Sequence, residues 1–168
     1  MMFPMLSWER INLAECNAAL TLWGHRIGPC HRPYGHQSFG LFWMGELAAV
    51  AHSATLVKNS VYGYARKETV ELARLCSDPA HADLTRVCLR LWRKCAQSEW
   101  ERDYWPATAC LSYSRNDWHM GDIYRFDGWG RLCVTRGSKA TGGGLSHSKP
   151  TAIWPKTIWI WPKPQVPA

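Results

Sequence analysis

Residues 85–99 constrain this chain more than any other segment. Val87, Cys88, Leu91, Trp92 and Cys95 recur at three- and four-residue steps and form one helical stripe, while Arg86, Arg90, Arg93, Lys94 and Gln97 lie off it. Such a helix must bury its stripe against another layer. The flanking segments supply one: residues 69–75, with Val70, Leu72 and Leu75 as apolar members, and residues 107–113 both read as strands. Strand, helix, strand is the unit from which α/β domains are built.

The pattern extends in both directions. In residues 13–23 the apolar positions fall too closely for strict alternation, which predicts a helix of two to three turns ended by Gly24. Residues 25–37 carry Gly28, Pro29, Pro33 and Gly35 and predict an irregular loop. Residues 38–43 and 47–57 predict a hairpin turning at Met44-Gly45-Glu46. Further on, residues 120–126 predict a short helix stopped by Gly128, and residues 132–135 and 156–161 predict strands. Residues 137–148, which include Gly142-Gly143-Gly144, predict a mobile loop or lid. The expected organisation is one domain over 1–161 with a Pro-rich tail at 162–168.

Composition narrows the functional classes. A chain of 168 residues suits one domain, and its eleven Trp and modest charged fraction argue against disorder. Twenty Lys plus Arg against thirteen Asp plus Glu give a net charge of +7, which admits a polyphosphate partner without specifying one. The seven cysteines form no CxxC pair, which argues against a zinc module and for a reducing cytoplasm. The apolar start, residues 1–6, is too short for a signal core, and no stretch approaches the ~20 apolar residues that cross a bilayer. A metal site has one candidate region: His25, Cys30, His31 and His36 lie within twelve loop residues, with His31 and His36 the foremost ligands for zinc or iron. Solvated loop histidines are the competing reading.

Three motifs occur in a fixed order: His31-Arg-Pro-Tyr-Gly-His36 ahead of Phe39-Gly-Leu, then Glu71-Leu-Ala-Arg-Leu-Cys-Ser-Asp78, then Ile123-Tyr-Arg-Phe-Asp-Gly-Trp129. Together they resemble the Mom-like DNA modification proteins of phage Mu type, within the GNAT acyltransferase superfamily. The resemblance implies an α/β class, a single GNAT-like domain with a mixed, splayed central sheet flanked by helices. It implies an acetyl-CoA or related acyl-CoA held between two strands, with its pyrophosphate at the start of the central helix. Unpaired N–H groups and partial positive charge suit a helix N-terminus to that task. The corresponding residues are Cys76, Ser77, Ala80, His81, Ala82, Asp83, Leu84, Thr85 and Arg86. Most GNAT proteins have a Gly-rich loop there, whereas this chain has no glycine and carries Asp78 and Asp83; Asp83 as a plain helix cap is the competing reading.

Acyl transfer needs a deprotonated amine, a polarised carbonyl and a protonated leaving thiolate. Tyr124 matches the position where the resembling acetyltransferases often carry a tyrosine general acid. Ser112, Tyr113 and Ser114, at the end of the preceding strand, are candidates to orient the acceptor. Glu71 and Arg74 stand three apart on a strand, hence on opposite faces unless a bulge intervenes, so one of them is expected in the cleft, with Arg74 steadying an acyl oxygen or a phosphate.

The activity that the resemblance implies is addition of a small acyl-derived group to N6 of adenine in double-stranded DNA. That modification protects phage or prophage DNA from restriction in the bacterial host cytoplasm. Candidate substrate-binding residues are Tyr34, Arg32, His36, Arg115 and Trp118, within a basic surface of Arg26, Arg32, Lys58, Arg66, Lys67, Arg115, Lys139 and Lys149. Two alternatives stand beside it: an N-acetyltransferase acting on a small amine or protein terminus, and a non-catalytic nucleic-acid-binding module.

Overall fold

The computed structural model describes residues 5–135, 155–162 and 164. In chain order its elements are β1 (Leu6–Ile11), α1 (Leu13–Leu22), β2 (His36–Trp43), β3 (Glu46–Ala54), β4 (Ser60–Val61), β5 (Tyr64–Ala65), β6 (Thr69–Ser77), α2 (Leu84–Asp103), β7 (Ala109–Arg115), α3 (Asp122–Phe126), β8 (Gly130–Val134) and β9 (Lys156–Trp161). Seven strands form a mixed sheet in the order β1-β2-β3-β6-β7-β9-β8, and β4 and β5 pair as a separate ribbon. The chain divides into two compact units, Met1–Leu111 and Ser112–Ala168. The expected glycine-rich loop at 137–148 lies outside the described residues, as does the Pro-rich tail apart from Pro162 and Pro164.

In the first unit β1, β2, β3 and β6 are antiparallel neighbours. β1 escaped the sequence reading because only six residues carry it; it pairs along β2 from Leu6↔Trp43 to Ile11↔Ser38. The Met44-Gly45 turn between β2 and β3 has positive φ at both residues, 50° and 90°, as a two-residue hairpin turn requires. Asn12 caps α1 by accepting from the Glu15 N–H at 2.8 Å.

The two faces of this sheet are covered differently. On one, α1 packs Cys16, Ala19 and Leu20 against Val50. On the other lies α2, which buries Leu84, Cys88, Leu89, Trp92, Ala96 and Trp100. That stripe is rotated from the expected one: Val87, Leu91 and Cys95 are only half-buried, because the two bulky indoles eight residues apart take the centre of the interface. Polar bonds fasten the helix to the same face. Trp92 Nε1 donates to Ser53 Oγ (2.8 Å), Gln37 Nε2 donates to the Glu99 carbonyl and to Asp103 Oδ2 (both 2.7 Å), and Arg10 pairs with Asp103.

The second unit contains the end of β7, α3 and the antiparallel pair β8–β9, which runs from Gly130↔Ile160 to Val134↔Thr157. An aromatic group forms its interior: Tyr124 stacks on Trp159 (5.7 Å between centroids) and meets Trp129 edge-on (5.4 Å). Gly121 opens α3 at φ +77°, and a Cβ there would stand 2.5 Å from Trp159 Nε1 and 2.7 Å from Ser114 Oγ. Only glycine meets both conditions. Among the described residues no helix is long and apolar enough to cross a membrane.

Candidate functional site

The turn from β6 into α2 holds the residues expected to bind the cofactor. Asp78 accepts from the Ala80 N–H (2.9 Å) and caps a single 3₁₀ turn, Pro79–His81. Asp83 does not cap α2: its backbone is already helical and its carboxylate reaches no backbone N–H. The Asp83 cap that competes with cofactor binding is therefore not made, and the helix starts without a side-chain cap. Ser77 Oγ and Thr85 Oγ1 lie 2.6 Å apart across the turn, and Thr85 Oγ1 also donates to the Ala82 carbonyl at 2.9 Å. Ala82 and Arg86 are exposed, Ala80 also, whereas Leu84 is buried; Cys76 and His81 are half-buried.

Glu71 and Arg74 depart from expectation. His52 pairs with Arg74 but Ser53 pairs with Leu72, so Ala73 is an extra residue and β6 bulges there. The bulge reverses the alternation, and both side chains join His36, Ser38 and His52 on the face that α1 covers. Glu71 is thereby closed off, and Arg74 is half-buried against a loop. Glu71 is 4% exposed and bonds Arg32 Nη2 at 2.9 Å. Arg74 donates to the carbonyls of Gly28 (2.8 Å), Pro29 (3.3 Å) and Ala73 (2.7 Å), and burial lowers its pKa.

The candidate metal ligands are not brought together either. Among the described residues no three metal-binding side chains converge. Cys30 is buried, with its backbone N–H and C=O both held by the Asn17 amide (2.9 and 3.2 Å). His36 begins β2 and stacks on His52, 5.7 Å between centroids, while His31 is exposed. His25 is held to a pKa of about 4 by burial and by the Arg74 cation, a neighbour that also disfavours a bound metal ion.

Tyr124 sits in the second unit, 6% exposed, and Ser112 Oγ donates to its phenolic oxygen at 2.8 Å. Burial pushes the phenol's pKa up, and the bond from Ser112 offsets this in part. The phenol thus stays protonated at neutral pH, and with Ser112 as donor its own proton is directed elsewhere. Ser114 is fully buried and accepts from Trp159 Nε1 at 2.9 Å, which fixes that indole.

Of the substrate candidates in the first unit, Tyr34 is 68% exposed with the Arg66 guanidinium 6.0 Å from its ring centre. Arg66 is itself anchored by donating to the Val57 (2.6 Å) and Lys58 (3.3 Å) carbonyls. Arg26, Lys58 and Lys67 are exposed, while Arg32 is engaged with Glu71. In the second unit Arg115 pairs with Asp117 through two nitrogens (3.1 and 2.6 Å) and lies 3.6 Å above the Trp118 ring. Lys139 and Lys149 lie outside the described residues.

The second unit also holds a cleft of about 330 Å³ between α3 and β8–β9, which sequence reasoning missed. Its lining residues Asn116, Asp122, Arg125, Trp129, Arg131 and Trp159 are scattered over 44 positions, with no motif to draw attention to them.

No protein-family model matches the chain, and no curated protein matches it in sequence. Solved structures do. An N-acetyltransferase from Staphylococcus aureus Mu50 superposes with a TM-score of 0.61 at 9% identity, over 94% of this chain and 97% of that one. An acetyltransferase from Bacillus subtilis in complex with CoA gives 0.57 at 10% identity over 92% and 95%, and an acetyltransferase of the GNAT family from Streptococcus pneumoniae gives 0.56 at 7% over 92% and 97%. The fold is thus that of the GNAT acetyltransferases, as the sequence motifs led one to expect.

Proposed function

We propose that this chain is an acyl-CoA-dependent N-acyltransferase whose acceptor is the N6 amine of adenine in duplex DNA. The observation that carries the first part is the entry into α2: a twenty-residue helix reached from β6 through a tight turn and lacking a side-chain cap. A helix N-terminus in that state suits a pyrophosphate, and Ser77, Ala80, Ala82 and Thr85 are small enough to let one approach. Asp78, which lies in the same turn, is turned onto the Ala80 N–H. An acyl-CoA bound there supplies the activated acyl group. Tyr124, kept protonated by burial, holds the proton that a departing thiolate needs, and Ser112 orients the phenol.

The DNA acceptor rests on the net charge of +7, on exposed Tyr34 with the Arg66 guanidinium 6.0 Å from its ring centre, and on the exposed Lys58 and Lys67. Cations beside an exposed aromatic ring suit a phosphate backbone and an extruded base. In this reading the protein works in a bacterial cytoplasm on phage or prophage DNA, as Mom-like proteins do.

Two measurements test the proposal. Calorimetric titration with acetyl-CoA should give saturable binding, and its absence for every acyl-CoA tried would remove the transferase reading. Mass spectrometry of nucleosides from DNA of expressing cells should show a modified adenine. Unmodified adenine together with salt-insensitive DNA binding would leave a small amine or a protein terminus as the acceptor.

A further inference from the structure

We infer that the cleft between α3 and β8–β9 is a binding site for a small planar ring carrying a carboxylate or phosphate. Three features of its lining point to that chemistry. The first is aromatic: the indoles of Trp129 and Trp159 both face the cleft while remaining only 4% exposed. Each is locked by its own N–H, Trp129 to Asp127 Oδ2 (3.1 Å) and Trp159 to Ser114 Oγ (2.9 Å). Tyr124 backs Trp159 from within the unit. At 4% exposure the two indoles form a rigid apolar floor of small area, against which a ring rests at little entropic cost.

The second feature is that the polar valences left over are donors. The Oδ1 of Asn116 is taken by the Thr157 hydroxyl at 2.8 Å, which leaves its NH₂ group as the end without a partner among the described residues. Arg131 is exposed and makes no ion pair among the described residues. Asp122 is the one carboxylate of the lining, and Arg125 Nη2 meets it at 3.1 Å, so those two charges offset each other. A net positive charge therefore remains at the rim, on the residue best shaped to grip a planar anion.

The third is size. About 330 Å³ falls at the lower end of the range for small-molecule pockets, enough for a ring and one charged group. The inference does not rest on the cofactor turn before α2, since every residue it uses lies in the second unit; it shares with the acyl-transfer proposal only Tyr124, which here serves as backing for Trp159.

Ligand-observed NMR on the full chain, with indole-3-acetate and thymidine 5′-monophosphate as probes, tests it and separates a carboxylate from a phosphate source. At least one probe should bind, and the uncharged analogue, tryptophol or thymidine, should bind roughly tenfold more weakly. Arg131→Ala should weaken the anion by about as much and leave the neutral analogue unchanged, and Arg131→Lys should recover part of the loss. Asn116→Asp, which places a carboxylate at the rim, should weaken it as well. Arg131 is exposed, so the thermal midpoint of its variants should stay at the wild-type value. Equal binding of charged and neutral probes, indifference to Arg131→Ala, or no binding of either anion would overturn the inference. Displacement of the probe by acetyl-CoA would overturn it too, by assigning the cleft to the cofactor.

Discussion

Glu71 and Arg74 share one face of the sheet although three residues separate them on β6, because Ala73 has no partner on β3. The bulge lets two side chains of one strand hold one loop. Glu71 draws in Arg32, and Arg74 grips the carbonyls of Gly28 and Pro29.

Glu71→Ala is expected to lower stability by about 2 to 3 kcal/mol, since it strands the mostly buried Arg32 guanidinium without a counter-charge. Glu71→Leu combined with Arg32→Met should recover most of that loss. Urea unfolding of the single and double variants gives the coupling directly, and strictly additive losses would show that the pair is not coupled.

Tyr124→Phe should reduce the single-turnover rate of acyl transfer by roughly a hundredfold or more, the usual contribution of a general acid. The dissociation constant for acetyl-CoA should hardly change. Stability should fall by only about 1 kcal/mol, for the hydrogen bond from Ser112. Unaltered turnover would make the phenol a packing residue of the aromatic interior.

Gly121→Ala and Gly45→Ala are a matched pair. Both positions have positive φ, but a Cβ at Gly45 meets open space whereas one at Gly121 meets Trp159 and Ser114. Gly45→Ala should cost about 1 kcal/mol of backbone strain. Gly121→Ala should cost distinctly more and move the near-ultraviolet circular dichroism of the indoles. Equal shifts in thermal midpoint would contradict the contact geometry.

Acid should destabilise the first unit through His52. The side chain is fully buried, with its Nδ1 2.8 Å from Ser38 Oγ, and burial, His36, Arg74 and Arg32 hold its pKa at about 4. Unfolded, it titrates near 6.5. Above that value both states are neutral and nothing changes; as pH falls from about 6.5 towards 4 the unfolded chain takes up the proton first and stability is lost. The full effect is on the order of 3 kcal/mol for one buried histidine. Denaturation midpoints across this range should fall, and the fall should shrink in His52→Gln. His25, whose pKa is likewise held at about 4, acts in the same direction.

How much the sequence disclosed depended on whether the signal was local. The helix α2, though not which of its residues are buried, the Met44-Gly45 turn and β6 are readable from spacing and turn chemistry within a dozen residues. β1 is not, because six residues of mixed character become a strand only when β2 offers its edge. The Glu71–Arg74 arrangement was framed correctly as a question of a bulge, but strand period alone does not register an inserted residue. The loop histidines formed a tempting metal set in one dimension; folding carries His36 onto β2 and Cys30 under α1. The cleft in the second unit is illegible because its lining comes from α3, β8, β9 and the loops on either side of α3.

Three polar fasteners on α2, from Trp92 to Ser53, from Gln37 to Glu99 and Asp103, and from Arg10 to Asp103, all lie in its middle and far half. The buried row itself alternates small and large, Cys88, Trp92, Ala96 and Trp100, so sliding by one helical turn, about 5.4 Å, would set indoles where small side chains pack. The bonds add direction to that size pattern and index the helix along the sheet. The distal half of α2 therefore shares with the Ser77–Thr85 hydroxyl contact the placing of its first turn with respect to the end of β6. Substitutions at Ser53, Gln37 or Arg10, remote from that turn in the sequence, would also disturb its alignment.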